Sequence, residues 1–340
     1  MRLFGRNKGN NSPIKLLQFI LFLGITGTTL LSVISSFGWG ILLELFSHFK
    51  LQYLLLSLLL LGLLVLTRKR NYIIISIFCF SIILIEILPW YIPQTGIQGN
   101  IPINNLRVLS SNVNTQNQNY PKVLSLVRQE KPDIAVFMEV NADWIKELDS
   151  LKDILPYSVV NANPYNLGIA VYSKRQLQNA SINFFGTTNN PSIVGSLIFN
   201  RKFISLIAIH PPPPFKPALF QARNKQLDEI TKYVKSLSSP VVIVGDFNIT
   251  MWSQYYKNFV RKTGLRNARQ GFGILPTWPI KTNYPPYSRI PLPLTWLLSI
   301  PIDQCLISPS LKVASIRTGA NVGSDHRPLI ADLLIPETKN

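Results

Sequence analysis

The chain has 340 residues, a formal net charge of +18 and 47% hydrophobic residues, which is enough for one large domain or two smaller ones. One of its two cysteines lies in each half, which argues against an internal disulfide and against a zinc site. Residues 1–90 hold eight Lys/Arg and two Asp/Glu, and residues 91–340 hold the other 26 and 14. The chain therefore changes character near residue 90.

Three apolar stretches fill the N-terminal part. Residues 16–37 carry no charge and exceed the length needed to cross a hydrocarbon core of about 30 Å. Residues 51–67 are mostly leucine, and residues 71–90 carry one acid, Glu86. A soluble buried helix is rarely apolar on all sides for this long. We therefore predict a membrane domain at residues 1–91 with three transmembrane helices at these positions. The alternative, a signal peptide followed by core helices, requires a shorter apolar region and a small-residue cleavage site.

The positions of the cations predict how this domain crosses the membrane. Arg2, Arg6, Lys8 and Lys15 precede the first span, and the Arg-Lys-Arg run at residues 68–70 separates the second span from the third. The positive-inside rule places both segments in the cytoplasm. Three crossings then leave the C-terminal part outside the cytoplasm, in an integral protein of the cell membrane.

A Pro/Gly/Asn/Gln-rich linker at residues 92–103 precedes a second domain at 104–336. Short β-branched runs there predict strands, and amphipathic stretches predict helices. Strands outnumber helices and some are consecutive, so we expect packed sheets with helices outside. Residues 271–301, rich in Pro, Gly and aromatics, predict a long surface loop near a site. The predicted strands are 106–112, 134–138, 168–172, 193–199, 203–209, 241–244, 302–307, 312–317 and 329–334, and the predicted helices are 120–130, 141–151, 219–237 and 252–262.

Polar residues end one buried strand after another. Ionisable groups beside apolar strands are costly unless they are paired or bound to a metal. Carboxylates with amide oxygens suit a hard cation such as Mg²⁺, and histidines can move protons or contact a phosphoryl oxygen. Each residue taken alone is also typical of an ordinary turn after a strand. These strand-end residues are Asn112, Glu139, His210, Asp246, Asn248, Asp303, Asp325 and His326.

No phosphate-binding Gly-x-x-x-x-Gly-Lys-Ser/Thr loop and no Gly-x-Ser-x-Gly elbow occurs, so nucleotide motors and serine hydrolases lack support. Four strings, in this order, instead resemble the endonuclease/exonuclease/phosphatase (DNase I-like) superfamily: SN at 111–112, FMEV at 137–140, GDFN at 245–248 and GSDHRPL at 323–329. The resemblance covers about residues 104–335. It implies a four-layer α/β sandwich, with two mixed sheets between helices, and metal-dependent cleavage of a phosphoester by water.

The resemblance also implies roles for these side chains. Glu139 would be the main ligand of Mg²⁺ or Mn²⁺, assisted by Asn112 and Asp325. Asp246 would orient or deprotonate the attacking water, and Asn248 would donate a hydrogen bond to the phosphoryl group.

The two histidines would complete this arrangement. His326 would contact a phosphoryl oxygen while Asp303 holds its ring, and His210 would stabilise developing charge or help the leaving oxygen. Gln304 stands where many family members carry His or Tyr. Asn114 stands where some nucleases place a second acid, which favours one metal over two and leaves the number open.

The predicted function is that of a membrane-anchored, Mg²⁺-dependent phosphoesterase, acting on a phosphodiester, phosphomonoester or pyrophosphate. Because the tether confines it near the lipid bilayer, a lipid-linked phosphate substrate is reasonable. An anchored extracytoplasmic nuclease is the alternative, although the basic residues are scattered rather than clustered into a stripe for nucleic acid. A protein of another class, binding a phosphate ligand without catalysis, also fits, because fold does not fix function.

Overall fold

A computed structural model describes residues 12–93 and 105–336 of the chain. The chain divides into two compact units, residues 1–89 and 90–340. The predicted linker at 92–103 lies mostly outside the described residues, as do three of the cations used for the orientation, Arg2, Arg6 and Lys8.

The first unit is helical. Its first helix and the stretch Arg70–Trp90 are each long and apolar enough to cross a membrane. The third helix is shorter and reaches the necessary length only together with the second, across a bend of 65°. Gly38 and Gly40, both with positive φ, lie between the first two helices. The described helices are α1 (Ser12–Ser35), α2 (Ile41–Ser47), α3 (Lys50–Leu66) and α4 (Arg70–Ile87), followed by a 3-10 turn at Leu88–Trp90.

The second unit contains two six-stranded sheets. In the first sheet the strand order is β11-β12-β1-β2-β4-β3, and in the second it is β5-β6-β7-β8-β10-β9. The strands are β1 (Asn105–Asn112), β2 (Ile134–Met138), β3 (Tyr157–Asn161), β4 (Ile169–Ser173), β5 (Gln178–Asn183), β6 (Ser192–Phe199), β7 (Lys202–Ile209), β8 (Val241–Asp246), β9 (Arg266–Asn267), β10 (Asp303–Ile307), β11 (Lys312–Thr318) and β12 (Leu329–Leu334). The helices are α5 (Tyr120–Glu130), α6 (Ala142–Leu148), α7 (Pro217–Ser236), α8 (Gln254–Thr263) and α9 (Leu292–Leu298).

The two sheets pack face to face through an apolar core that contains Val136 and Val171 of the first sheet and Leu206 and Val244 of the second. A second apolar cluster lies on the outer side of the first sheet, where α5 and α6 cover it. Helix α7 covers the second sheet, and its Gln226 side chain donates a hydrogen bond to the hydroxyl of Ser192 on β6. The order helix, sheet, sheet, helix confirms the predicted four-layer α/β sandwich.

Each sheet contains one parallel pair of strands, β1 with β2 and β7 with β8. A crossover helix joins the members of each pair, α5 in the first sheet and α7 in the second. The carboxyl ends of parallel strands meet at one edge, where ligands bind in open α/β sheets. Asn112 ends β1, Asp246 ends β8, and Glu139 and His210 directly follow β2 and β7.

The structure departs from the sequence-based expectation in several elements. Strand β5 carries the polar sequence QNASIN and is largely exposed, so no apolar alternation marks it. Strands β3 and β9 and helix α9 were also not predicted. The segment 271–301, predicted as a surface loop, contains α9 as well as buried Thr277 and Ile300.

Candidate active site

Glu139 occupies an unusual backbone position immediately after β2. Its φ is 60°, in the left-handed region that non-glycine residues rarely adopt. Its amide donates to the carbonyl of Gly168 at 2.8 Å. A Cβ on Gly168 would lie 1.8 Å from the carbonyl oxygen of Val140, so the Glu139 turn fits only against a glycine. Strained positions of this kind cluster at functional sites.

Asn112 joins the carboxylates of Glu139 and Asp246, which come from different sheets. Its Nδ2 donates to Glu139 Oε1 at 2.8 Å and to Asp246 Oδ2 at 3.1 Å. Its Oδ1 accepts from the amide of Asn114 at 3.2 Å. Asn112 therefore turns its amide nitrogen towards the site. Its role as a metal ligand, which needs the amide oxygen, stays a prediction.

The backbone at the end of β8 positions the side chain of Asp246. Gly245 has φ of 146°, and a Cβ there would lie 2.0 Å from the carbonyl oxygen of Ile209 on β7. Asp246 Oδ1 accepts from the amide of Asn248 at 2.8 Å. Asn248 has φ of 50° and donates its Nδ2 to the carbonyl of Pro211 at 2.9 Å. The predicted contact of Asn248 with a phosphoryl group stays a prediction.

Two buried histidines lie near the same carboxylate oxygen of Asp246. His326 Nδ1 lies 2.9 Å from Asp303 Oδ2, and His326 Nε2 lies 3.6 Å from Asp246 Oδ2. His210 Nε2 lies 3.7 Å from the same Asp246 oxygen and 3.9 Å from Glu139 Oε1. The distances to Asp246 exceed those of direct hydrogen bonds. Both ring Nε2 atoms therefore lie near Asp246 without a direct hydrogen bond to it.

Asp325 is held by residues that the sequence did not assign to the site. Its Oδ1 accepts from Asn114 Nδ2 at 2.8 Å, and its Oδ2 accepts from Trp278 Nε1 at 3.2 Å. Its amide donates to the hydroxyl of Tyr284 at 3.1 Å. The family resemblance already pointed to Asn114, which stands where some nucleases place a second acid. Trp278 and Tyr284 both lie in the aromatic-rich stretch 271–301, which the sequence predicts near a site without assigning either residue to it.

Burial gives the site's carboxylates an unusual affinity for protons. It raises the pKa of Glu139 to about 8, and the neighbouring carboxylate of Asp325 adds to the effect. Burial also raises the pKa of Asp246 to about 7, with the charge of His326 opposing and that of Asp303 adding. Glu139 Oε2 is buried and has no hydrogen-bond partner among the described residues. A bound cation would remove the cost of this uncompensated anion. Clustered carboxylate oxygens therefore fit a hard divalent ion.

The two histidines differ in charge because their surroundings differ. Burial lowers the pKa of His210 to about 4, and the positive charge of His326 acts in the same direction. Burial also acts to lower the pKa of His326, but the carboxylates of Asp303 and Asp246 outweigh it and raise that pKa to about 10. At neutral pH His326 is therefore a cation that can donate to an anionic oxygen, while His210 is neutral.

Among the described residues, one grouping of His, Asp and Glu side chains meets the spacing of a metal site. One atom each from Asp246, Asp303 and His326 lie within 4.8 Å of one another, so this buried cluster can hold a metal ion. In that cluster, however, Asp303 and His326 already share a hydrogen bond. Glu139 Oε2, by contrast, has no hydrogen-bond partner among the described residues, and the role of Glu139 as the main metal ligand stays a prediction.

The structure brings together all eight residues singled out in the sequence. Six of them line one cleft of about 380 Å³, and Asn112 and Asp303 lie behind it, bonded to the lining residues. Aromatic residues and prolines form much of the remaining wall. The six lining residues are Glu139, His210, Asp246, Asn248, Asp325 and His326, and the aromatic ones are Tyr165, Phe215, Trp278, Tyr284 and Tyr287.

Tyr172 and the two cysteines stand apart from this cleft. Tyr172 is buried in the core under α6, as expected from its strand, and its hydroxyl donates to Asp149 at 2.9 Å. Cys79 and Cys305 are free thiols in different units.

Comparisons with known proteins identify the family and the fold. The sequence model of the Endonuclease/Exonuclease/phosphatase family matches residues 109–326, more than half of the chain. No match was found among curated protein sequences.

Solved structures resemble the second unit in fold. The human nocturnin catalytic domain with bound sulfate has a TM-score of 0.56 and 18% identity, covering 68% of this chain and 95% of that one. D. rerio TDP2 complexed with single-strand DNA product has a TM-score of 0.54 and 15% identity, covering 68% and 99%. An endonuclease/exonuclease/phosphatase from Beutenbergia cavernae has a TM-score of 0.52 and 18% identity, covering 68% and 72%. At these identities the likeness concerns the fold.

Proposed function

The chain belongs to the endonuclease/exonuclease/phosphatase family, and on that premise we propose that it is a membrane-anchored, Mg²⁺-dependent phosphoesterase. Members of this family are generally hydrolases of phosphate esters that depend on a divalent metal. For this chain the proposed reaction is hydrolysis of a phosphodiester, phosphomonoester or pyrophosphate, with a lipid-linked phosphate as the favoured substrate.

One observation carries the proposal. Glu139 and Asp246, from different sheets, accept hydrogen bonds from the same Asn112 nitrogen, while Glu139 Oε2 remains without a partner among the described residues. Two acids held this close in a buried site are costly to the fold. Such an arrangement supports a site built for a cation and an anionic substrate rather than for stability.

Each residue of the cleft has its own role in the proposed reaction. Mg²⁺ held by Glu139 and Asp325 would polarise the phosphoryl group and neutralise charge that develops on it. Asp246 accepts the proton of the attacking water. His326, charged and held by Asp303, donates to a phosphoryl oxygen. Preorganised donors of this kind typically lower a barrier by about 2.7–4 kcal/mol each.

The proposed location rests on the apolar first unit. Stretches Pro13–Ser35 and Arg70–Trp90 are apolar enough to span a bilayer. We place the N-terminus in the cytoplasm and the catalytic unit outside, on the distribution of cations. A phosphate carried on a lipid would then share the membrane with the enzyme, which favours that substrate class.

The test is phosphate release from a polyprenyl pyrophosphate by the full chain in detergent, with Mg²⁺ and with EDTA. We expect release that needs Mg²⁺ and falls at least about 100-fold in Asp246→Asn and His326→Gln. Asp228→Asn is the matched control, because Asp228 is an exposed acid on α7. It forms a surface ion pair with Lys262 on α8. Mg²⁺-independent release, or full activity in Asp246→Asn, would exclude this mechanism.

Anchored nuclease activity is the second candidate. A structural neighbour, D. rerio TDP2, was solved with single-strand DNA product, and the chain is strongly basic, which attracts phosphate-rich partners. Plasmid and single-stranded DNA in the same assay separate the two candidates. Cleavage of DNA without release from the lipid pyrophosphate would favour the nuclease.

A further inference from the structure

Helix α9 exposes most of its surface although nearly all of its residues are apolar. Of the residues Leu292–Leu298, all but Thr295 are exposed. Trp296 is 73% exposed and Leu292 is 62% exposed. Single exposed apolar residues are ordinary, but a continuous group of them marks a contact surface.

This surface belongs to a fixed element. Thr295 is buried, and its hydroxyl donates to the carbonyl of Leu292 at 2.8 Å. After the helix, Ile300 pairs with Trp278 through two backbone hydrogen bonds, of 2.5 and 3.0 Å. Backbone hydrogen bonds therefore fix the chain directly after α9, while the apolar side chains of α9 remain exposed.

The same segment forms part of the cleft wall. Tyr284 and Tyr287 line the cleft, and a short 3-10 helix at Tyr287–Arg289 leads from them towards α9. Trp278, the backbone partner of Ile300, also lines the cleft and donates to Asp325. The exposed helix and the cleft wall are thus parts of one segment, residues 277–300.

Two glycines just before this segment contact Trp90, the first residue of the second unit. The amides of Gly271 and Gly273 donate to the carbonyl of Trp90 at 3.0 and 2.7 Å. A Cβ on Gly273, whose φ is 100°, would lie 3.1 Å from the ring of Tyr91. Trp90 is the last residue of the stretch Arg70–Trp90, which is apolar enough to cross a membrane. Segment 277–300 follows these glycines by a few residues within the same unit.

Charge and composition favour a lipid surface over a second copy of the chain. Residues 271–302 contain Lys281 and Arg289 and no acidic residue. Tryptophan with leucine, flanked by cations, is the composition of elements that lie in the interface of anionic membranes. Pairing two copies through α9 would bring like charges together, which is unfavourable.

We propose that α9 seats the catalytic unit on the surface of an anionic lipid bilayer, with Trp296 and the leucines of α9 entering the interface. The wall of the cleft then lies beside the lipid headgroups, where a phosphate carried on a lipid can reach Asp325 and His326. This inference rests on the proposed membrane location of the enzyme.

The test measures the depth of α9 in the full chain. In a Cys79→Ala, Cys305→Ala background, Trp296→Cys is labelled with an environment-sensitive fluorophore. The protein is reconstituted in vesicles of phosphatidylcholine and phosphatidylglycerol with or without doxyl-labelled lipid. The matched control is Phe203→Cys, an aromatic 52% exposed at the end of β7 opposite to His210. We expect doxyl lipid to quench the label at 296 at least twofold more than the label at 203.

Equal quenching at both positions would overturn the proposal. Energy transfer between labels at 296 on different copies, without quenching by doxyl lipid, would also overturn it and would assign α9 to self-association.

An activity measurement separates this inference from the proposed function. In Leu294→Glu/Trp296→Glu, the ratio of hydrolysis of polyprenyl pyrophosphate in vesicles to hydrolysis of soluble bis(p-nitrophenyl) phosphate should fall at least fivefold. Phe203→Glu should leave this ratio unchanged. An unchanged ratio in the double variant would contradict docking by α9. A wild type that hydrolyses neither compound would refute the proposed function, while the quenching result would still decide the docking.

Discussion

Asp303 Oδ2 lies 2.9 Å from His326 Nδ1, and both side chains are buried. Asp303 begins β10 of the second sheet, whereas His326 precedes β12 of the first. This contact links the two sheets at the site, and it contributes to the raised pKa of His326. Carboxylates that orient a working histidine in this way are known from other active sites.

Replacing Asp303 by Asn should weaken catalysis without removing the fold. The amide keeps the size of the side chain but lacks the charge that keeps His326 protonated. We expect turnover of a soluble phosphodiester to fall about 10–100-fold and the His326 imidazole pKa, followed by NMR, to fall as well. Asp228→Asn, which changes an exposed acid, should retain wild-type turnover. Unaltered turnover in Asp303→Asn would remove the orienting role.

The metal-free protein should lose stability as the pH rises. The unfolded chain releases the Glu139 proton near pH 4.3, whereas the folded protein holds it to about pH 8. Between these values the folded state binds more protons, so the free energy of unfolding falls with increasing pH. Asp246, with a pKa of about 7, acts in the same direction. Melting temperatures in EDTA from pH 5 to 8 measure this, and Glu139→Gln should flatten the decline. An equally steep decline in Glu139→Gln would show that another group causes it.

Trp278 should act as a positioning residue for Asp325. Its indole N–H donates to Asp325 Oδ2 at 3.2 Å, and Trp278→Phe removes this donor while keeping an aromatic ring. Since partners of metal ligands typically contribute 10–100-fold to metal affinity, we expect a loss of about 10-fold in Mg²⁺ affinity. The concentration of Mg²⁺ that gives half-maximal activity reports it. Trp39→Phe is the control, because Trp39 is exposed in the first unit. Identical Mg²⁺ dependence in Trp278→Phe and wild type would refute the prediction.

Gly168 should be essential for the backbone turn at Glu139. A Cβ there would lie 1.8 Å from the carbonyl oxygen of Val140, so Gly168→Ala must displace backbone. We expect a loss of at least about 1–3 kcal/mol in the free energy of unfolding, together with reduced activity. At Gly62 nothing lies within 4 Å of an added Cβ, which makes Gly62→Ala the comparison. If both variants melt like the wild type, the glycine is not required.

Buried β-branched runs and amphipathic helices are local patterns, and they predicted packed sheets with helices outside, while the family resemblance implied the four-layer sandwich. The sequence also singled out Asp246 and His326 as candidates, since each stands in a string that resembles the family. Asn114, Trp278 and Tyr284 were not assigned to the site, because their contacts with Asp325 join parts of the chain between 41 and 211 residues apart.

Among the elements that were not predicted from the sequence, β5 and α9 each have a physical reason. Strand β5 is an edge strand of polar residues, so it lacks the period that marks buried strands. Helix α9 has seven residues with prolines before and inside it, and composition favoured a loop there. Neither element carries a signal that local propensity detects.

The most direct test of the account is a count of bound Mn²⁺ by electron paramagnetic resonance, comparing wild type with Glu139→Gln, Asp325→Asn and Asp303→Asn. We predict one tight site in the wild type that is lost in Glu139→Gln, weakened in Asp325→Asn and retained in Asp303→Asn. Binding that persists in Glu139→Gln but disappears in Asp303→Asn would place the metal in the Asp246, Asp303 and His326 cluster. It would contradict the assignment of Glu139 as the principal ligand.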